Sequence, residues 1–572
     1  MTAPFKAAAV QFEPVMFEKE RNVAGLLALV EQAAEAGAKL IATPEMGTTG
    51  YCWHDRAEVA PFVEPVPGPT TDRFAELARR HDCFIVIGMP EVDLNTNLYY
   101  NAAVLIGPDG VVGVHRKTHP YISEPKWAAS GDLGHQVFDT RIGRIALLIC
   151  MDIHFIETAR LVALGGADVI CHISNWLAER TPAPYWINRA FENGCYLIES
   201  NRWGLERGVQ FSGGSCVIAP DASILDVIDR GDGIAYAAIE PEIARAHRVF
   251  GEAVMEQRRP ELYMDLLTNT FTWNPLDFFR LYGHAPIPEG RAARISVAQF
   301  GPTDRVEDNL GEITTLAERA KSAGAELVVF PELALTGLAG GNGLNRESEP
   351  VSRMVDLAAQ LDLHIVVGFA EKNGSTTFNS ALLAGPDGLL GIYRKTHLAE
   401  AERSWATAGD EWLICNLPFA RVGMLIGHDA TFPEAGRILA LRGCDLILCP
   451  AAIRGRFHLP HEGTQVTQPA PIPTGADSLH WHQYRVRAGE NNCYLAFANV
   501  RAPLDGFAGL SGIFGPDTFH FPRQESVTSD NESLATMEID TGNLASSYPT
   551  NVVRRKDLVL MRQPHHYYGL LS

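Results

Sequence analysis

Three residues in the first half of the chain stand at or just beyond the end of an apolar run: Glu45 after LIATP, Lys117 in VHRKTHP and Cys150 after RIALLI. Strand ends are where an α/β sheet presents side chains to a crevice. A free thiol, with an ordinary pKa of about 8.5, is mostly protonated at neutral pH, so a nucleophilic cysteine needs a base or a cation beside it. Glu45 offers the base, and Lys117 offers a cation that can hold a developing oxyanion. Taken singly, each has an ordinary use: a carboxylate after a strand faces solvent or caps, a lysine in a basic triplet is surface charge, and a cysteine ending an apolar strand is core. Only their joint placement makes a candidate site.

The elements that must position these residues occur twice. AAAVQF, Asn22 and AEAGAKLIATPEMGTTGY near the start recur from residue 295 as ISVAQF, Asn309 and SAGAELVVFPELALTGL. FIVIGMPE answers HIVVGFAE, and residues 101–119 match 379–397 at 12 of 19 positions. IGRIALLICMDIHFIETAR then aligns with ARVGMLIGHDATFPEAGR, and RAFENGCYLIESN with RAGENNCYLAFAN. Residues 1–275 and 293–572 are therefore expected to be two copies of one domain, joined by a linker over 276–292. Within each copy, short β-branched runs alternate with Ala-rich segments of helical period, which predicts α/β layers with buried strands. The GPDG words are turn chemistry between adjacent strands, so mixed sheets are expected rather than purely parallel ones.

Composition narrows the function. The chain of 572 residues is 46% hydrophobic and 20% charged, as in globular proteins. Forty-eight basic against 68 acidic residues give a formal charge of −20, which repels phosphate backbones and anionic lipid. Neither nucleic acid nor a membrane is expected as a partner. No run approaches the ~20 apolar residues of a bilayer span, and the start carries no signal-like segment, so a cytoplasmic protein is expected. The ten cysteines form no CxxC and mostly sit in apolar runs, as reduced core residues do.

The words around the three residues resemble the nitrilase superfamily of carbon–nitrogen hydrolases. The carriers are Pro44-Glu45, Arg116-Lys117, Cys150-Met151-Asp152 with Glu157 and Arg160 beyond, and the RAxEN word at 189–193. The resemblance covers essentially the whole chain, twice. It implies an αββα sandwich for each half, packed as an internal pseudo-dimer, and a Glu45–Lys117–Cys150 triad in the first. It also implies that the Met151 N–H is a second oxyanion donor and that Glu124 hydrogen-bonds Lys117 or positions substrate; Glu45 would have to return the thiol proton to the leaving nitrogen, because an amide anion is too poor a leaving group. Fusion of the halves leaves further homo-oligomerisation open.

The same loops would line the pocket with Tyr51, Trp53, Tyr121, Trp127, Asn175, Trp176, Arg202 and Trp203, giving a compact, largely apolar site for a small molecule. His119, which recurs as His397, is expected to hydrogen-bond behind the site. Asp152, Glu157 and Arg160 recur as Asp429, Glu434 and Arg437, which favours structural ion pairing. Phe211-Ser212-Gly213-Gly214-Ser215 lacks the Asp-Ser of an adenylate-binding loop, and there is no Walker loop, no GxGxxG after a strand and no HExxH. No histidine cluster has zinc-ligand spacing, so neither metal nor cofactor is expected.

The second copy keeps Glu332, Lys395 and Glu402 at the matching places, but Gly427 replaces Cys150, and Ala451-Ala452-Ile453 replaces Ser174-Asn175-Trp176. A glycine cannot attack, so this copy is expected to be catalytically dead. The resulting reading is an amidase working through a Cys150 thioester. A nitrilase and a hydrolase of N-carbamoyl compounds use the same triad and stay open: CMD followed by HF is closer to amidase-type sequences, whereas the Lys-to-Glu spacing of seven is nitrilase-like. A binding protein with two inert halves is the non-enzymatic alternative.

Overall fold

A computed structural model of the chain describes residues 2–268, 286–455, 482–545 and 552–572, apart from 122, 178–180, 229, 341–342, 518–522 and 530. Of the expected linker, residues 276–285 lie outside the described residues.

Strands buried on both faces explain the apolar runs. In Phe5–Gln11, Ala7 and Ala9 enter the core between two sheets, while Ala8 and Val10 pack against outer helices; Leu40 and Ala42 likewise face inward and Ile41 outward. This is the period of two, with neither side left to water. One six-stranded sheet of the first half runs Gly233–Ile239, Phe5–Gln11, Ala38–Ala42, Phe84–Val92, Tyr99–Gly107, Gly110–Arg116. Its three strands from Phe5 to Val92 are parallel and the others antiparallel, so the sheet is mixed as expected. The second sheet centres on the parallel strands Gly143–Ile149, Val169–Ser174 and Tyr196–Asn201. Helices Lys19–Glu35 and Pro69–His81 cover the first sheet, and Ile156–Leu164 covers the second. The second half repeats the plan with two six-stranded sheets of its own. Each half is thus an αββα sandwich.

Glu45, Lys117 and Cys150 follow the strands Ala38–Ala42, Gly110–Arg116 and Gly143–Ile149 respectively. Both GPDG words close antiparallel hairpins, pairing Gly107 with Gly110 and Gly385 with Gly388. Asn22 ties down the loop before its helix by accepting from Val15 N and donating to Val15 O, each at 2.8 Å.

The halves pack through matching surfaces. Helix Pro184–Asn193 lies on His482–Glu490, where Arg189 meets Glu490 at 2.6 Å and Arg487 meets Glu192 at 2.8 Å. Arg160 meets Glu434 at 3.3 Å and Arg437 meets Glu157 at 3.1 Å. Glu157 and Arg160 are therefore ion-paired structurally, across the two halves. Asp152 works inside its own half, accepting from the Thr118 hydroxyl at 2.8 Å and from His119 N at 3.1 Å, with His115 Nε2 at 2.8 Å. The last stretch of each half crosses to the other: Arg258 reaches Glu434, and Arg562 reaches Glu157. Among the described residues no helix is long and apolar enough to cross a membrane, and no group of three or more His, Cys, Asp or Glu could hold a metal ion.

Candidate active site

Glu45 sits on a turn that a neighbouring glycine admits. A Cβ on Gly88 would stand 2.7 Å from Glu45 Cα, so the Phe84–Val92 strand can pass under the Pro-Glu turn only without a side chain there. Gly368 plays the same part beneath Glu332. Lys117 is held by its backbone, donating to Asn101 O and accepting from Gly131 N, both at 2.8 Å. Cys150 adopts a left-handed φ of 45° at the first residue after its strand. Such a backbone costs a non-glycine residue on the order of 1–3 kcal/mol and aims its side chain away from the strand direction.

These elements bring four buried groups together. Lys117 Nζ donates to Glu45 Oε1 at 2.8 Å and to Glu124 Oε2 at 2.7 Å. Asn101 Nδ2 donates to the same two carboxylates, at 2.7 Å and 2.5 Å. Asn101 is a site residue that the sequence reading missed, although it opens the 19-residue word common to both copies and recurs as Asn379. Glu124 also accepts from Tyr121 N at 2.5 Å. Glu45 Oε2, by contrast, is buried with no partner among the described residues. In the second copy the corresponding Glu332 Oε2 lies where a Cβ on Gly427 would stand, and it accepts from Ala452 N at 2.9 Å. The Asn175 N–H, counterpart of Ala452 N, hydrogen-bonds the Cys150 sulfur, and the Glu45 charge acts on the same thiol.

Electrostatics set the resting protonation. Burial pushes the Cys150 thiol well above its ordinary pKa and the Glu45 charge adds to this, outweighing Lys117 and the Asn175 N–H. At rest Cys150 is a neutral thiol. Burial alone would lower Lys117, but Glu124 and Glu45 hold its ammonium well above the ordinary lysine value. Burial raises Glu124, against the pull of Lys117.

The expected pocket residues divide. Tyr51 is buried with its ring 5.7 Å from Lys117 Nζ and its hydroxyl unpartnered among the described residues. Asn175 is buried with both side-chain polar atoms unpartnered among the described residues. Trp176 lies in the same apolar cluster as Cys150, with His154 stacked on it at 4.9 Å and Trp186 edge-on at 5.2 Å. Trp53 and Trp127 pack behind Tyr51, and Trp53 Nε1 donates to Gly50 O at 3.0 Å. Tyr121 lies half-buried against Met151 and Leu558. Arg202 is taken up by Glu206 at 2.6 Å and lies over Phe211, while half-exposed Trp203 donates to Asp232 at 2.7 Å. Both lie where the chain turns into the hairpin Trp203–Glu206 with Val209–Ser212. His119 hydrogen-bonds Asp152 and stacks on Phe155 at 3.7 Å, behind the site as expected. His172 Nε2 lies 3.0 Å from Cys150 O and its ring is fixed by Glu199, an arrangement no motif announced.

Comparison with known proteins places this geometry in a class. The model of the carbon-nitrogen hydrolase family matches residues 6–248 and again 294–546. The chain belongs to that family, with two copies of its domain, and is a hydrolase acting on carbon–nitrogen bonds. It is 35% identical over 261 residues to a nitrilase of Pyrococcus abyssi, covering 98% of that protein and 45% of this chain. It is 32% identical over 212 residues to an (R)-stereoselective amidase of a Pseudomonas species, covering 70% of that protein and 36% of this chain. An amidase structure from a Nesterenkonia species superposes with a TM-score of 0.38 at 23% identity, covering 93% of that chain and 43% of this one.

Proposed function

We propose that the first copy is an amidase that converts a primary amide to a carboxylic acid and ammonia through a Cys150 thioester. The observation that carries this is the division of labour on Glu45: one oxygen is fixed by Lys117 and Asn101, the other has no partner among the described residues, and its charge acts on a buried, protonated thiol. Glu45 takes the thiol proton as sulfur adds to the carbonyl carbon, and the oxyanion forms against Lys117 Nζ and the Met151 N–H. Glu45 then gives the proton to the nitrogen, the C–N bond breaks and ammonia leaves. Water, deprotonated by Glu45, attacks the thioester, and the acid departs as the thiol is restored. Glu124 and Asn101 hold Lys117 and Glu45 in register. The wall of Trp176, His154 and Trp186 favours an apolar acyl group. Ten free cysteines suit a reducing cytoplasm.

A second reading, nitrile hydrolysis at the same thiol, has the 35% identity to a protein called a nitrilase in its favour. An ammonia-release assay over primary amides, nitriles and N-carbamoyl compounds separates the readings. Turnover of apolar primary amides, abolished by Cys150→Ala, is expected. Turnover of nitriles alone, or undiminished activity in Cys150→Ala, would overturn the amidase assignment.

A further inference from the structure

Each copy ends in the same spelling: Arg258-Arg259-Pro260 with Tyr263, Leu266 and Leu267 beyond, and Arg562-Gln563-Pro564 with Tyr567, Leu570 and Leu571 beyond. Each segment folds alike, the residue after its arginine donating from its backbone N to the tyrosine oxygen, at 3.2 Å for Arg259 and 3.0 Å for Gln563. Each then lies on the opposite copy. The two also clasp each other, Arg258 donating to Leu570 O and Arg562 to Leu266 O.

We infer that the closing segment of the second copy positions the catalytic groups of the first, with Gln563 as the principal positioning residue. Three contacts reach the site. Gln563 Nε2 donates to the carbonyl of buried Thr118, the residue after Lys117. His566 Nε2 lies 3.2 Å from the carbonyl of Gly131, whose N–H closes the neck of the Lys117–Glu124 loop on Lys117 O. Leu558 packs on the side chains of Met151 and Phe155, with Met561 and Tyr121 beside them. The segment thus fixes the backbone on both sides of the loop that carries Lys117 and Glu124, and presses on the residue whose N–H is to meet the oxyanion. Misplacement by about 1 Å is enough to cost such a site on the order of 10²-fold in rate.

The other copy supplies the comparison. There Arg259 alone donates to both matching carbonyls, Thr396 O at 2.9 Å and Gly409 O at 3.2 Å. Polarity has changed together on both sides of the third contact: His428, at the place of Met151, meets Gln257, at the place of Met561, at 2.8 Å. The same brace therefore surrounds a site that has no nucleophile, and its substitution there should leave turnover alone.

The inference rests on catalysis in the first copy, and the test uses a substrate that the full-length wild-type protein turns over. An inactive wild type would refute that reading, whereas indifferent variants would refute the brace. Gln563→Ala and Gln563→Glu, which cannot donate to Thr118 O, should lower kcat by about tenfold or more with KM changed less than about threefold. Gln563→Arg should restore kcat, because arginine makes this contact in the other copy. Arg259→Ala should leave kcat at the wild-type value while shifting the melting temperature as much as Gln563→Ala does. Wild-type kcat in both Gln563→Ala and Gln563→Glu, or an equal loss of kcat in Arg259→Ala, would overturn the positioning role.

Discussion

Cys150 and Gly427 share one backbone, with φ of 45° and 44°, and differ in what that backbone costs. Glycine enters this conformation freely, whereas cysteine is strained there. In the second copy the vacated space is filled: Glu332 turns its Oε2 to the place of the missing side chain and takes the Ala452 N–H. Burial, aided by Glu402 and against the pull of Lys395, raises the Glu332 carboxyl above its ordinary value. Restoring the nucleophile is therefore not enough. Cys150→Ala/Gly427→Cys should fold and release no ammonia above the Cys150→Ala background, because the new Cβ would meet Glu332 and Ala452-Ile453 lacks the Asn175-Trp176 wall. Turnover regained in the double variant, read by the same ammonia assay, would show that the second site was only waiting for its thiol. Glu45, Lys117 and Cys150 could be picked out in sequence because each ends or follows an apolar run and because the words around them resemble one family. Asn101 was equally visible in the repeat but is an uncharged amide on a strand, and only geometry shows it holding two carboxylates. Arg202 and Trp203 were read as pocket residues from their place after a strand, and sequence carries no sign that Glu206 and Asp232 engage them at the hairpin.

At the scale of elements, helices Pro184–Asn193 and His482–Glu490 carry the RAxEN word of each copy into one buried ring. Arg189 is bonded to Glu192 and Glu490, and Arg487 to Glu490 and Glu192, all with fully buried side chains. The charges alternate and cancel, which is what makes such burial tolerable; removing one member leaves a charge in a low dielectric with too few partners. Arg189→Met should therefore destabilise the protein by about 3–5 kcal/mol. Adding Glu490→Gln, which restores neutrality, should recover part of that loss. Urea denaturation of the three proteins measures both steps, and a double variant no more stable than the single would locate the cost in packing instead of charge. The word was legible as a repeat. That its charges close a ring with the other copy was not, because sequence carries no record of which two helices meet. The exchanged end segments were missed for a related reason: their shared spelling is short, and their ion-pair partners lie more than a hundred residues away.

For the whole molecule, these contacts make the second copy part of the first one's structure. The surface between them combines the four-residue ring, the Arg160–Glu434 and Arg437–Glu157 pairs and the crossed end segments, and Val486 of the second copy lies within the apolar cluster that holds Cys150. Residues 1–268 alone would deprive Glu157, Arg160, Arg189 and Glu192 of their ion-pair partners in the second copy, bare the apolar side chains of Met151 and Phe155, and lose the hydrogen bonds to Thr118 O and Gly131 O. Exposed apolar surface of that kind drives association, and unpartnered charge would loosen the helices that carry it. In the full chain covalent linkage keeps the partner at high effective concentration whatever the protein concentration. Residues 1–268 expressed alone should accordingly scatter light and have at most a few per cent of the full-length specific activity, and residues 286–572 supplied in trans should restore part of it. Light scattering and ammonia release at equal molar concentration decide the matter. A soluble, monomeric and fully active first copy would mean that the second neither covers nor braces it.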